Sequence, residues 1–254
     1  MLKFLGKIVS ETREAAFSQS YRAKIISKVF SIYPIGKLAF RLSMMIKKLL
    51  LLEGLWTQRE VEYPWVLNTL RNYAKPGSIV LDLGCSESLL SHELVSMRFR
   101  VIGLDIRDYP FKSKYVTLVK KNVIETGLPS DFFDAIIVVS TIEHIGLNAY
   151  GQITIDDQGD IRAMKELHRI LKPGGIIIIT LPYTGRILKI GSSERNYNRQ
   201  RLDELLNSYH IVKESYFFPK RVKKRIFWIE IDRKNIDHQN FTEPGLACIV
   251  AKKS

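Results

Sequence analysis

From Ser78 onward the chain alternates short apolar runs with amphipathic stretches. A parallel sheet with crossover helices reads this way, because strands covered on both faces carry no polar side and the covering helices do. The runs place strands at about 78–83, 100–105, 115–119, 134–139 and 175–181. Between them the spacing predicts helices over 87–97 and 160–171. The second is stopped by Lys172-Pro173-Gly174-Gly175, since proline cannot continue a helix and glycine accepts the reversed backbone behind it. A helix near 199–209 and apolar runs at 211–218, 227–231 and 246–251 finish the sheet. The expected class is α/β, with a mostly parallel sheet and helices on both faces.

Ahead of this pattern, Ser10 is placed to cap a helix through 15–29, and Pro34 separates it from a second helix over about 35–52. In the second, Lys37, Arg41 and Lys48 share one face, opposite Leu38, Leu42, Ile46, Leu49 and Leu50. Residues 1–60 thus read as a basic amphipathic helical extension and 61–254 as the main domain. Two readings of the extension stand: a helix packed on the core with its basic face in water, or one lying on an anionic membrane surface.

Charge sharpens that division. The chain carries a formal +13, of which 1–60 hold +7, 61–212 only +1 and 213–254 +5. A protein whose active site tracks a phosphate backbone should place its cations around that site, whereas here the flanks hold them. A nucleic-acid partner is therefore the weaker expectation. The run Lys220, Arg221, Lys223, Lys224 and Arg225 reads as a solvated loop, with an anionic partner as the alternative. Two cysteines, Cys85 and Cys248, make no disulfide framework, and the first residues lack the layout of a cleaved signal, so a reducing cytoplasm is the expected compartment. The longest stretch free of Asp, Glu, Lys and Arg, 173–185, is too short and too broken by glycine and proline to cross a bilayer as a helix. Membrane contact would then be peripheral, at the cytoplasmic face.

The most informative segment is Ile79-Val80-Leu81-Asp82-Leu83-Gly84-Cys85-Ser86-Glu87-Ser88, a buried strand ending in a carboxylate and a glycine before a helix. Gly84 lets a ligand approach the backbone, and the helix start offers free N–H groups to an anion. Ser86 or Ser88 can cap that helix. Asp105 closes the next strand, where an acid can accept both hydroxyls of an adenosine ribose. The fourth strand runs out into Ser140-Thr141-Ile142-Glu143-His144, at the end of the sheet where open α/β folds bind ligands.

Over about 63–209 these features resemble the class I (Rossmann-like) methyltransferases of the type-11-like kind, which take their methyl group from S-adenosylmethionine (SAM). The resemblance implies a seven-stranded Rossmann-like sheet with SAM as cofactor. In that family an Asp precedes a Gly-x-Gly-x-Gly loop; Asp82 and Gly84 match the leading positions, while Ser86 and Ser88 stand at the later glycines. Asp105, with Ile106 beside it, matches the ribose-binding acid. Asn122 and Val123 fall where the family has an Asp and a small or apolar residue beside the adenine. The resemblance places Cys85, Ser86, Ser140 and Thr141 with the donor-binding set. The Glu143-His144 pair is a recurrent feature of the family, and the longer run through Tyr150 resembles a subgroup of mostly unassigned substrate. Tyr183, Arg195 and Tyr197 fall where acceptor-binding loops are expected, and Tyr150 is expected to bind the substrate with them.

The sulfonium of SAM is already electrophilic, so the protein's task is alignment and exclusion of water. His144 has a suitable unperturbed pKa for removing an acceptor proton, and Glu143 would orient it, bind the substrate or hydrogen-bond near the donor. The acceptor is expected to be a hydroxyl or amine of a small molecule, a glycan or a lipid-linked compound. A catalytically silent SAM-binding or membrane-docked scaffold and an RNA methyltransferase are the rivals. An NAD-dependent oxidoreductase is disfavoured, because Ser86 and Leu89 stand where Gly-x-Gly-x-x-Gly needs glycines. Asp156, Asp157 and Asp160 read as a solvated loop and helix start, and no metal is expected.

Overall fold

The computed structural model describes residues 58–253, apart from 110–112, 151–155, 186–188, 192, 223–224, 237–240 and 242. The two helices expected over 15–29 and 35–52, and the basic face of the second, lie outside the described residues. The domain opens with helix α1 (Arg59–Tyr73) and strand β1 (Ile79–Leu83), then helix α2 (Leu90–Ser96) and strands β2 (Arg100–Asp105), β3 (Val116–Lys120) and β4 (Phe133–Val139). Helix α3 (Gly159–Ile170) leads into β5 (Leu171–Gly185), the short pair β6 (Lys189–Ile190) and β7 (Arg195–Asn198), and helix α4 (Arg199–Leu205). Strands β8 (Tyr209–Val222) and β9 (Arg225–Glu230), helix α5 (Arg233–Ile236) and β10 (Gly245–Lys253) complete it.

The main path of the sheet runs β3-β2-β1-β4-β5-β10-β8-β9. The pairs from β3 to β5 are parallel, and β10 lies antiparallel between β5 and β8. Seven strands on this path match the expected Rossmann-like sheet; β9 adds an antiparallel edge because β8 continues to Val222 and pairs with it. Two expected boundaries shift. The helix expected over 87–97 is divided into a 3₁₀ turn at Cys85–Glu87 and α2, since the Ser88 hydroxyl accepts the Leu90 N–H and starts the helix afresh. Strand β5 outruns its apolar stretch at both ends, where Leu171 pairs with Phe133 of β4 and Gly185 with Asn198 of β7.

Alternation in the central strands builds both layers of the core. Ile136, Val138, Ile177 and Ile179 pack with α3 residues such as Leu167 on one face. Ala135, Ile137, Ile176 and Ile178 pack with Leu70 of α1 and Leu90 and Leu94 of α2 on the other. The order reverses between β1 and β4, so the loops leaving β1, β2 and β4 diverge at one sheet end and leave a crevice there. Among the described residues no helix is long and apolar enough to cross a membrane.

Candidate active site

Asp82, the fourth residue of β1, stands almost fully buried, and its carboxylate accepts a hydrogen bond from Ser91 Oγ at 2.5 Å. Desolvation by burial pushes its carboxyl up to about 7, against the Ser91 hydrogen bond and with the Asp105 charge adding to the rise. Gly84 follows at φ 78°, and a Cβ built there would lie 2.2 Å from Thr141 Oγ1. Glycine is thus required twice, by the left-handed backbone and by the close approach of the β4 loop. Ser86 and Ser88 are not among the residues with positive φ, so the loop needs no glycine at either position.

Asp105 ends β2 beside this turn. Its Oδ2 accepts the Ser86 N–H at 3.0 Å, and its Oδ1 accepts the Arg107 N–H at 2.9 Å. The Arg107 guanidinium adds two further donations, Nε to Oδ1 at 3.1 Å and Nη2 to Oδ2 at 3.2 Å. Asp82 and Asp105 line the same cleft. Gly84, Ile106, Asn122, Val123, Ser140 and Thr141 line it with them. The Asn122 Oδ1 accepts the Ile124 N–H at 3.0 Å, which caps the following 3₁₀ turn and leaves the amide NH₂ as its remaining donor.

The β4 loop supplies the opposite wall. His144 Nδ1 lies 2.6 Å from the Ser193 carbonyl oxygen. A carbonyl can only accept, so Nδ1 carries the hydrogen and the neutral ring keeps its lone pair on Nε2. The ring also meets Tyr150 edge-on at 5.2 Å, and both residues line the cleft. Ser140 and Tyr150 hold positive φ values of 40° and 54°. Such strained non-glycine backbone persists only where surrounding contacts enforce it. At Ser140 those contacts are with Glu62, which accepts from the Ser140 hydroxyl, and with Gln58, whose amide donates to it at 3.2 Å. Glu62 also accepts from Thr180 Oγ1 at 2.6 Å, tying α1 to the ends of β4 and β5.

Several expected site residues lie off this cleft wall. Glu143 is buried, its Oε1 stands 3.8 Å from His144 Nε2, beyond hydrogen-bond distance, and its Oε2 has no hydrogen-bond partner among the described residues. Orientation of His144 comes from Ser193 instead. Cys85 is buried, and burial pushes its thiol far above the usual range. Ser86 contributes its backbone N–H to Asp105, while its buried hydroxyl has no hydrogen-bond partner among the described residues.

Tyr183, Arg195 and Tyr197 are buried and are not among the residues that line this cleft. Arg195 donates to the carbonyls of Ile145 at 2.6 Å and Asp156 at 3.0 Å, and Tyr197 donates to Asp160 at 3.0 Å. Asp160 is correspondingly no solvated helix start: it is fully buried and paired with Arg201 at 2.6 Å. Asp156 is the residue of that acidic run that meets an exposed cation, Arg162. The cleft also holds residues the sequence reading did not single out, chiefly Arg59 and Tyr63 of α1 and Arg107.

Burial also pushes the Glu143 carboxyl up to about 8. An acid whose folded-state pKa lies above its unfolded value leaves the folded protein with more bound protons than the unfolded chain between the two values. Stability from Glu143 is therefore lost as pH rises from its ordinary range, near 4.5, through about 8. Glu143→Gln cannot ionise, so its melting temperature relative to the parent protein should improve between pH 5 and about pH 8 and level off above it; a constant difference across that window would contradict the assigned burial.

Comparison with known proteins places this geometry in a wider setting. Residues 102–253 match the family described as "Caenorhabditis protein of unknown function, DUF268". The demethylmenaquinone methyltransferase of Lysinibacillus sphaericus is 27% identical over 130 residues, covering 45% of this chain and 49% of that protein. The chain thus spans about half the length of that relative. The ubiquinone biosynthesis O-methyltransferase of Nitrosococcus oceani is 24% identical over 179 residues, or 61% of this chain and 69% of that one. Among solved structures, the 1,6-didemethyltoxoflavin-N1-methyltransferase of Burkholderia thailandensis, which holds its substrate and S-adenosylhomocysteine, superposes with TM-score 0.53 at 14% identity, over 94% of this chain and 92% of its own. The shared fold is that of class I SAM-dependent methyltransferases.

Proposed function

We propose a function on the premise that this chain belongs to the DUF268 family, which its match over residues 102–253 establishes: it is a SAM-dependent methyltransferase acting on a hydroxyl of a small-molecule, glycan or lipid-linked acceptor. The observation that carries this reading is the convergence of Asp82, Gly84, Asp105 and His144 on one cleft at the carboxyl ends of β1, β2 and β4.

The residues present fit the donor. Asp82, Gly84 and Asp105 line the cleft together, so a donor seated there meets a side-chain-free turn between two acids. Asp105 offers a fixed pair of carboxylate oxygens to a ribose, and the Asn122 amide can donate to an adenine ring nitrogen. Val123, Ile106, Ser140 and Thr141 complete the donor wall. When bound, SAM supplies a methyl group already activated on sulfur.

What remains for the chain is to hold the acceptor oxygen in line and take its proton. His144 suits that task, because it lines the cleft and the Ser193 carbonyl pins its Nδ1–H, which makes Nε2 the basic nitrogen of the ring. The Nitrosococcus relative bears the name of an O-methyltransferase, which accords with a base beside the acceptor.

The test is transfer of labelled methyl from SAM into lipid and sugar extracts, fractionated to find the product. Absence of transfer into any fraction by a protein that binds SAM would remove the enzymatic reading. With an acceptor in hand, His144→Ala should lower turnover about 10²–10⁴-fold, the usual contribution of a general base, while donor affinity changes little. Equal loss of both would make His144 a wall of the pocket and not a base.

A further inference from the structure

We infer that Arg107 sets the affinity of the cleft for its nucleoside by competing for Asp105; this rests on the donor-site reading above. Asp105 has two carboxylate oxygens and about four lone-pair directions. Two are taken by backbone donors, the Ser86 and Arg107 N–H groups, which hold the carboxylate in place. The Arg107 side chain takes the rest as a fork, Nε on Oδ1 and Nη2 on Oδ2. A vicinal diol presents the same two-pronged donation to a carboxylate. The guanidinium therefore satisfies the group a ribose would use, and the two cannot hold it together.

Packing favours this arrangement. The guanidinium carbon lies 4.0 Å from the centre of the Tyr150 ring, a cation–π contact, and Tyr150 meets His144 at 5.2 Å. Arg107 thus bridges the β2 end of the cleft to the β4 loop. A nucleoside taking Asp105 must break the fork, and it can do so without dislodging the carboxylate, because the two backbone donors stay. Salt weakens a partly exposed ion pair more than it weakens hydrogen bonds to a neutral diol. The Arg107 side chain is 21% exposed, so added salt should ease the displacement.

Calorimetry on the full chain with S-adenosylhomocysteine decides the matter. Arg107→Met should bind about 10-fold more tightly than the parent protein at low salt, a factor typical of one charge-assisted hydrogen bond that no longer has to be broken. That advantage should shrink as salt is raised. Arg107→Lys keeps the charge without the fork and should fall between them. A purely structural role for Arg107 would not produce the salt-dependent convergence. Equal or weaker binding by both variants would overturn the competition while leaving the donor site standing, since the parent protein would still bind. Heat from none of the three proteins would sink the donor site and the competition together.

Discussion

In an Arg107→Met background, where no guanidinium fork has to be broken, Asp105→Ala is expected to weaken S-adenosylhomocysteine binding by about 100-fold, the loss of two hydrogen bonds to an ionised acceptor at roughly 1.5 kcal/mol each. The expectation follows from position. Asp105 is the last residue of β2 and lines the cleft beside Asp82, with both carboxylate oxygens held by backbone N–H groups. The Asn variant keeps the size and one acceptor oxygen, so its loss should be nearer 10-fold, one hydrogen bond's worth on the same scale. Isothermal titration of both variants checks this, alongside their melting temperatures, because the Ser86 and Arg107 N–H groups lose their acceptor too. Affinity unchanged in Asp105→Ala would mean that the nucleoside is held elsewhere.

Asp160→Ala should be the most destabilising single substitution among the polar residues discussed. The Asp160 side chain is 0% exposed and accepts from Arg201 Nε at 3.2 Å, Arg201 Nη2 at 2.6 Å and the Tyr197 hydroxyl at 3.0 Å. Arg195 Nε lies 3.8 Å away and is also fully buried. Removing the acid leaves the fully buried Arg195 guanidinium without its counter-ion and Arg201 with Glu204, at 3.1 Å, as its remaining acidic partner, a change that costs about 3–5 kcal/mol when one partner of a buried pair is lost. For a domain of this size that corresponds to a fall of about 10 °C in melting temperature. Activity should fall as well at temperatures where the variant is folded, because Arg195 ties the Ile145 carbonyl in the loop that carries His144. A melting temperature within about 2 °C of the parent protein would contradict the assigned network, since that is under 1 kcal/mol at this size.

The donor side of the cleft was legible in the sequence because its determinants are local. A carboxylate at the end of an apolar run, followed by glycine, marks a strand end and a bare turn within three residues, and Asp82, Leu83 and Gly84 supply both. Asp105 closes the next apolar run in the same way. The parallel register pairs Asp82 with Gly103 and Leu83 with Leu104, which carries the two ends to the same side.

The acceptor side was less legible because its determinants are non-local. Arg195 and Tyr197 are polar residues in a loop-like stretch, and only the fold shows that Asp160, in another helix, provides the buried charge and hydroxyl acceptor that draw them inside. Tyr183 is covered by Tyr216, which arrives on the antiparallel β8. Asp156, Asp157 and Asp160 look alike as a run yet meet different fates, since the first helical turn aims only the last of them at the core. Arg59 and Tyr63 carry no motif. They reach the cleft because Glu62, buried between Ser140 and Thr180, anchors α1 over the sheet end.

The central claim is that the acids at the ends of β1 and β2 face one nucleoside. A crystal structure of the full chain with S-adenosylhomocysteine tests it most directly. The ribose should lie on the Asp105 carboxylate and the adenine beside Asn122 and Val123, with the Arg107 guanidinium moved off Asp105. Ligand density in any other part of the molecule, with the Asp105–Arg107 fork intact, would contradict it.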